Sequence, residues 1–146
     1  MSETCRLYFD SPRRSSLPAK SGLNWGNANA HVNIEDAYIP IRKGDISKYP
    51  AIFPIVNQGQ SIISVTWDDG KKMICSFEGT QDINGVIYPK QISSYNDKSI
   101  LGHYLRARIG VIATAIVTDA ELDRYGRNHI DITKNDDGTF FFDFSV

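Results

Sequence analysis

Hydrophobic positions recur with a period of two in the middle and at the end of the chain. Ser61-Ile-Ile-Ser-Val-Thr-Trp67 and Lys71-Lys-Met-Ile-Cys-Ser-Phe77 alternate apolar and polar residues on either side of Asp68-Asp-Gly70. A period of two lays one face of a strand against a core, and Asp-Gly between two such runs supplies the positive-φ turn of a hairpin. The same reasoning predicts a second hairpin: His129-Ile-Asp-Ile-Thr133, the turn Asp136-Asp-Gly138, and Thr139-Phe-Phe-Phe-Asp-Phe144, with Asp143 facing solvent. Ala37-Tyr-Ile-Pro-Ile41 reads as an edge strand or strand end, because Pro40 cannot donate to a ladder. Helical spacing is rarer. Ile100, Leu101, Tyr104 and Leu105 form an apolar stripe within 98–108, with Asp97 as the cap. Thr118-Asp-Ala-Glu121 has the capping-box pattern of a short helix that Gly126 ends.

Three segments follow neither period. Residues 1–20, which include Ser11-Pro-Arg-Arg-Ser-Ser-Leu-Pro18, are expected to be a lead-in or linker. Residues 21–36 crowd small and amide side chains around Trp25 and predict an irregular arm. Residues 79–96 predict a long polar loop, and loops of that length usually carry function. The expected fold class is mainly β with two or three short helices (α+β), with one domain over 21–146. A length of 146 residues, 41% of them hydrophobic and 23% charged, is enough for a real core and unlike a disordered composition. The longest apolar run, Ile109–Val117, is too short to span a membrane, and the N-terminus lacks the apolar core of a signal peptide. A cytoplasmic protein with no membrane partner is expected.

Candidate chemistry narrows the picture mostly by exclusion. Cys5, near an end expected to be loose, and Cys75, in a strand, fit free thiols. His31, His103 and His129 have no metal-ligand spacing, so neither a metal nor another cofactor is expected. No nucleophile elbow, phosphate-binding glycine loop or dinucleotide fingerprint occurs, and no catalytic residue is assigned. Asp68-Asp69 and Asp136-Asp137 are of the type that holds a cation in a compact metal-dependent nuclease. Each pair precedes a glycine between two strand patterns, however, which favours a turn. Trp25 and Tyr38 are expected to pack in the core, since Leu23 and Ile39 lie nearby at alternate spacing, and Phe140–Phe142 with Phe144 likewise. A net charge of −1 offers no basic surplus for phosphate, although Lys90, Lys98, Arg106 and Arg108 cluster in sequence against Asp97 alone.

Several motifs in order carry a family resemblance. They are Ser21-Gly-Leu-Asn-Trp-Gly26 with Glu35-Asp-Ala-Tyr-Ile-Pro-Ile41, Leu101-Gly-His-Tyr-Leu-Arg-Ala-Arg-Ile-Gly-Val111, Val117-Thr-Asp-Ala-Glu-Leu-Asp-Arg-Tyr-Gly-Arg127 and Asp136-Asp-Gly-Thr-Phe140. Over about residues 21–144 the chain resembles the C-terminal part of NgoFVII-type restriction endonucleases. That group also resembles BfiI and joins a phospholipase-D-like nuclease to a DNA-binding module. The resemblance implies an open β pseudobarrel of about seven strands, similar to the plant B-three domain, whose two arms grip double-stranded DNA in the major groove. It further implies that target reading belongs to this chain and cleavage to the parent protein's nuclease domain. The histidine-x-lysine signature of that nuclease is missing: His31 precedes Val32-Asn33, His103 precedes Tyr104-Leu105, and His129 precedes Ile130-Asp131. The isolated domain is therefore expected to be non-enzymatic and monomeric. After Asn-Trp-Gly the family pattern has Gln and basic residues, whereas this chain reads Asn27-Ala-Asn-Ala-His31, so its base preference is expected to differ.

The two irregular polar stretches coincide with the arms this resemblance implies, and their composition suits base reading. Amides pair with adenine, Lys with guanine, and a carboxylate with the amino group of cytosine. Candidate base readers are Asn24, Asn27, Asn29 and His31 in the first arm. In the second they are Gln81, Asp82, Asn84, Lys90, Gln91, Tyr95, Asn96 and Lys98. Phosphate positioning is expected from Lys20, Ser21, Arg42, Ser93, Ser94, Arg106 and Arg108. The alternative from a different class is a small β-barrel module that binds a protein or a small ligand.

Overall fold

The computed structural model describes residues 3–10, 16–28 and 33–146. Both predicted hairpins are present. β3 (Ile62–Trp67) pairs antiparallel with β4 (Lys72–Glu78), Val65 opposite Met73, and Gly70 takes φ +90° at the turn. β8 (His129–Lys134) pairs with β9 (Phe140–Asp143), Ile132 opposite Phe142. A parallel β3–β9 ladder, with Val65 opposite Phe140, joins the two hairpins into one sheet.

Residues 4–8, expected within an irregular lead-in, instead form β1 (Thr4–Tyr8), antiparallel to β8. Cys5 is accordingly not at a loose end but almost wholly buried, with its side chain in the core beside Leu7 and Ile132. The signal was a short alternation in Cys5-Arg-Leu-Tyr-Phe9, overshadowed by the Pro-Ser-Arg stretch after it. β2 (Ile39–Pro40) is the edge piece that Pro40 predicts, and pairs with β7 (Gln91–Ser94).

The seven strands run β1-β8-β9-β3-β4-β7-β2, a mainly β, nearly closed barrel-like sheet. β1 and β2 approach each other without pairing. Arg42 bridges that seam, its guanidinium donating to the carbonyls of Tyr8 and Asp10, both at 2.8 Å. The interior is filled by alternate residues of each strand, among them Leu7, Ile39, Val65, Trp67, Cys75, Ile92, Ile130 and Phe142. Phe140, Phe142 and Phe144 lie inside, whereas Phe141, between them, is exposed.

The two predicted helices form as α2 (Ser99–Ile109) and α3 (Asp119–Tyr125), preceded by α1 (Lys43–Lys48), which the periodicity did not suggest. Asp97 receives the backbone N–H of Ser99 at 3.0 Å, and Thr118 with Glu121 makes the expected capping box. No helix of the described residues is long and apolar enough to cross a membrane.

The expected polar loop over 79–96 is mostly strand. β5 (Gln81–Ile83) and β6 (Val86–Tyr88) form a separate two-stranded ribbon, and β7 returns to the main sheet. Asn84-Gly85 was the overlooked hairpin signal: both residues have positive φ, +52° and +86°, as a tight hairpin turn requires. The ribbon is tied down by Val56, whose N–H donates to the carbonyl of Ile87 at 2.9 Å.

Candidate functional site

An open groove of about 690 Å³ lies on the outer side of the sheet around β2 and β7. Trp25, from the 3-10 turn Gly22–Asn27, and Tyr38 border it, and across it stand Gln81 at the base of the ribbon and Lys90 beside Gly79. The groove thus lies between the two segments the sequence singles out. Sheet alternation turns Gln91 toward it. In β4 and β7, Phe77 and Ile92 point into the barrel, which leaves Ser76, Glu78, Gln91 and Ser93 on the outer face.

Two close backbone contacts seat the first arm. Gly26 donates its N–H to Asp36 O at 2.7 Å, and a Cβ on Gly26 would stand 2.3 Å from Ile34 O. On α2, a Cβ on Gly102 would fall 1.6 Å from Glu35 O. Only glycine permits either approach. Trp25 and Tyr38 do not join the core, as their apolar neighbours suggested. They are half-buried and meet edge to face, 5.0 Å apart at 85°, at the groove wall. The main-chain turn carries Leu23 inward and leaves Trp25 outside.

Several candidate contact residues are buried, with their polar groups engaged by the protein. Asn24 is wholly buried: its Nδ2 donates to Pro18 O at 2.9 Å and Val117 O at 2.8 Å, and its Oδ1 accepts the Val117 N–H at 2.8 Å. Arg106 is also fully buried and donates to the carbonyls of Ala115, Leu23 and Gly102. Burial alone draws its pKa below the ordinary arginine range, with Glu35 acting the other way. Ser93 donates to Ala37 O, and Ser94 donates to Asp97 O while accepting the Leu101 N–H. These four hold the arm and α2 on the barrel and face no solvent.

Arg108 likewise turns inward, onto Asp68 at 2.7 Å, the hydroxyls of Tyr104 and Tyr125, and the carbonyl of Phe144. Burial works against its charge, but the bonds to Asp68 and Tyr104 outweigh this and hold its pKa above the ordinary range. Burial would raise Asp68, yet Arg108 and the Phe144 N–H hold it below the usual carboxylate range. The Asp68-Asp69 turn therefore faces a guanidinium. Among the described residues, no cluster of three His, Cys, Asp or Glu residues is placed to hold a metal. Cys5 and Cys75 are buried free thiols, both pushed up to about 12 chiefly by burial.

The other candidates lie at the surface or in the groove. Lys20, Asp82, Asn84, Lys90, Tyr95 and Asn96 are exposed, and Ser21 and Asn27 are half-buried, with Asn27 Nδ2 donating to Ala19 O. Asn84 and Asn96 both adopt positive φ, at the ribbon tip and before α2. Arg42 borders the groove with its guanidinium engaged at the seam, and exposed Lys43, not anticipated from the sequence, stands next to it. The sequence cluster of basic residues does not become a surface patch, because Arg106 and Arg108 face inward and Lys98 pairs with Glu78 at 2.6 Å. Lys98 also sits 6.0 Å from the Trp25 ring centre, and Glu78 further accepts from Ser76 and from Gln91. Asn29 and His31 lie outside the described residues.

The fold is a nearly closed β barrel with an open groove between the first arm and the ribbon, lined by the aromatic rings of Trp25 and Tyr38 and by Gln81, Lys90 and Gln91. The chain belongs to the family of NgoFVII C-terminal B3-like DNA-binding domains, whose model matches residues 1–136. It is thus a DNA-binding domain of the restriction-enzyme type, and the match takes in β1. No curated protein matches the chain.

Proposed function

We propose that this domain reads a specific sequence of double-stranded DNA in the major groove, on behalf of a nuclease domain that performs the cleavage. One observation carries the reading: a groove bordered by both arms, with a two-stranded ribbon standing at one side. A two-stranded β ribbon has dimensions that the major groove of B-DNA admits. In this reading Asp82 and Asn84 near the ribbon tip, with Gln81 and Gln91 in the groove, approach base edges. Lys20, Lys43 and Lys90 meet phosphates, which sets register without reading sequence. By sequence, Tyr95 and Asn96 belong to the second arm, and Ser21, Asn27, Asn29 and His31 to the first.

The domain itself is non-catalytic in this reading, works as a monomer in the cytoplasm, and takes its nuclease activity from the parent protein. Selection from randomised duplex DNA, followed by affinity measurement at two salt concentrations, tests it. A short enriched motif, bound more weakly as salt rises, is the expected result. Binding without any enriched motif would overturn sequence reading, and no binding to duplex DNA would favour a protein or small-ligand partner.

A further inference from the structure

The two glutamines in the groove are held so that their amide nitrogens face the protein. Gln81 Nε2 donates to Ile41 O at 3.0 Å and Pro89 O at 2.9 Å, which engages both of its hydrogens. Gln91 Nε2 donates to Glu78 Oε1 at 3.2 Å, and Glu78 is itself fixed by Lys98 and by Ser76 at 2.7 Å. Neither amide can be turned over without setting oxygen against oxygen, so the partners settle the orientation. Among the described residues no donor reaches either Oε1. Neither oxygen is a buried unpaired atom, and both residues line the groove, Gln81 half-buried and Gln91 9% exposed.

We infer that these fixed carbonyl oxygens select a base by its exocyclic amino group, with cytosine ahead of adenine at Gln81, and that Glu78 is a positioning residue for Gln91. In the major groove, cytosine N4 and adenine N6 are donors, whereas guanine O6 and N7 and thymine O4 are acceptors. The usual two-point pairing of glutamine with adenine requires an amide hydrogen for N7, and Gln81 has none to give. Adenine would leave N7 unpaired opposite it, while cytosine's own ring edge offers N4 beside C5–H and carries no acceptor. Guanine and thymine would set acceptor against acceptor. The inference rests on the major-groove reading above and adds the class of base recognised.

The test takes the motif enriched by the wild-type domain and measures affinity for duplexes in which single cytosines are replaced by 2-pyrimidinone, which lacks only the amino group, or by adenine, thymine or guanine. At one or two positions, loss of the amino group is expected to weaken binding by about 5- to 150-fold. Gln81→Leu abolishes that preference at its position and leaves the others intact. Glu78→Gln, which lets the Gln91 amide turn over and also removes the ion pair with Lys98, lowers the preference at one position and leaves discrimination at the others intact, an outcome that a merely structural role would not produce. The pyrimidinone series on wild-type protein keeps the test open if Gln81→Leu folds poorly. An enriched motif with no position sensitive to the amino group, or one whose sensitivity survives both variants, overturns this inference while sequence reading stands. Absence of any enriched motif overturns both.

Discussion

Asn24→Ala separates a base reader from a structural clamp. The sequence places Asn24 in a polar arm among residues suited to adenine, whereas the structure buries it completely between Pro18 and Val117. Truncation to alanine leaves the carbonyl oxygens of Pro18 and Val117 and the Val117 N–H without partners, and takes an acceptor 3.5 Å from Arg106 Nη2. A buried polar group left unpaired costs about 1–3 kcal/mol. Three such groups, some regaining water as the site relaxes, place the loss at about 3 kcal/mol or more. For a domain of this size each kcal/mol corresponds to about 2–4 °C, so the melting temperature falls by about 6–12 °C. Thermal unfolding followed by circular dichroism measures this. DNA affinity is then compared by fluorescence anisotropy at a temperature where both proteins are folded. A melting temperature within about 2 °C of wild type, together with lost DNA affinity, would refute the clamp and return Asn24 to the interface.

Four further outcomes follow from the same geometry. Asp68→Asn removes one partner of a largely buried pair with Arg108 and is expected to cost about 3–5 kcal/mol near neutral pH, read from the urea midpoint. The depressed folded-state pKa of Asp68 gives stability that is present above its unfolded value, about 4, and lost as pH falls through the folded one. Wild type therefore loses more stability than Asp68→Asn on acidification below about pH 4, and equal acid sensitivity would count against the pair. The Cys5 and Cys75 thiols, both pushed up to about 12, are expected to resist alkylation in the native domain at mildly alkaline pH and to react once urea unfolds it. Rapid native labelling of both would contradict their burial. Gly102→Ala forces α2 away from Glu35 O and is expected to weaken DNA binding and lower the melting temperature together, and no change in either would show that the first arm is not seated there. Lys43→Ala and Lys90→Ala are each expected to weaken binding similarly on all sequences and to lower the salt slope by about one, whereas a sequence-dependent loss would move them to base contacts.

Local signals were sufficient for both Asp-Gly hairpins, both predicted helices and the edge character of Pro40, because alternation, capping pairs and turn residues act between near neighbours along the chain. The family resemblance identified the architecture, and the groove lies between the two stretches that composition marked as arms. Local pattern was misleading where a partner far along the chain decides the outcome. β1 is a strand because β8, over a hundred residues later, pairs with it. Asn24 and Arg106 resemble contact residues until folding brings Val117, Leu23 and Ala115 to their polar atoms. Trp25 resembles a core residue until a 3-10 turn leaves it at the groove. The sequence by itself determined which segments alternate, turn and cap, and which kinds of side chain the arms carry. Only the tertiary structure decided which of those side chains have their hydrogen bonds satisfied by the protein and which keep an atom for a ligand. A polar group's availability depends on the partners that long-range packing brings to it, and no local pattern encodes them.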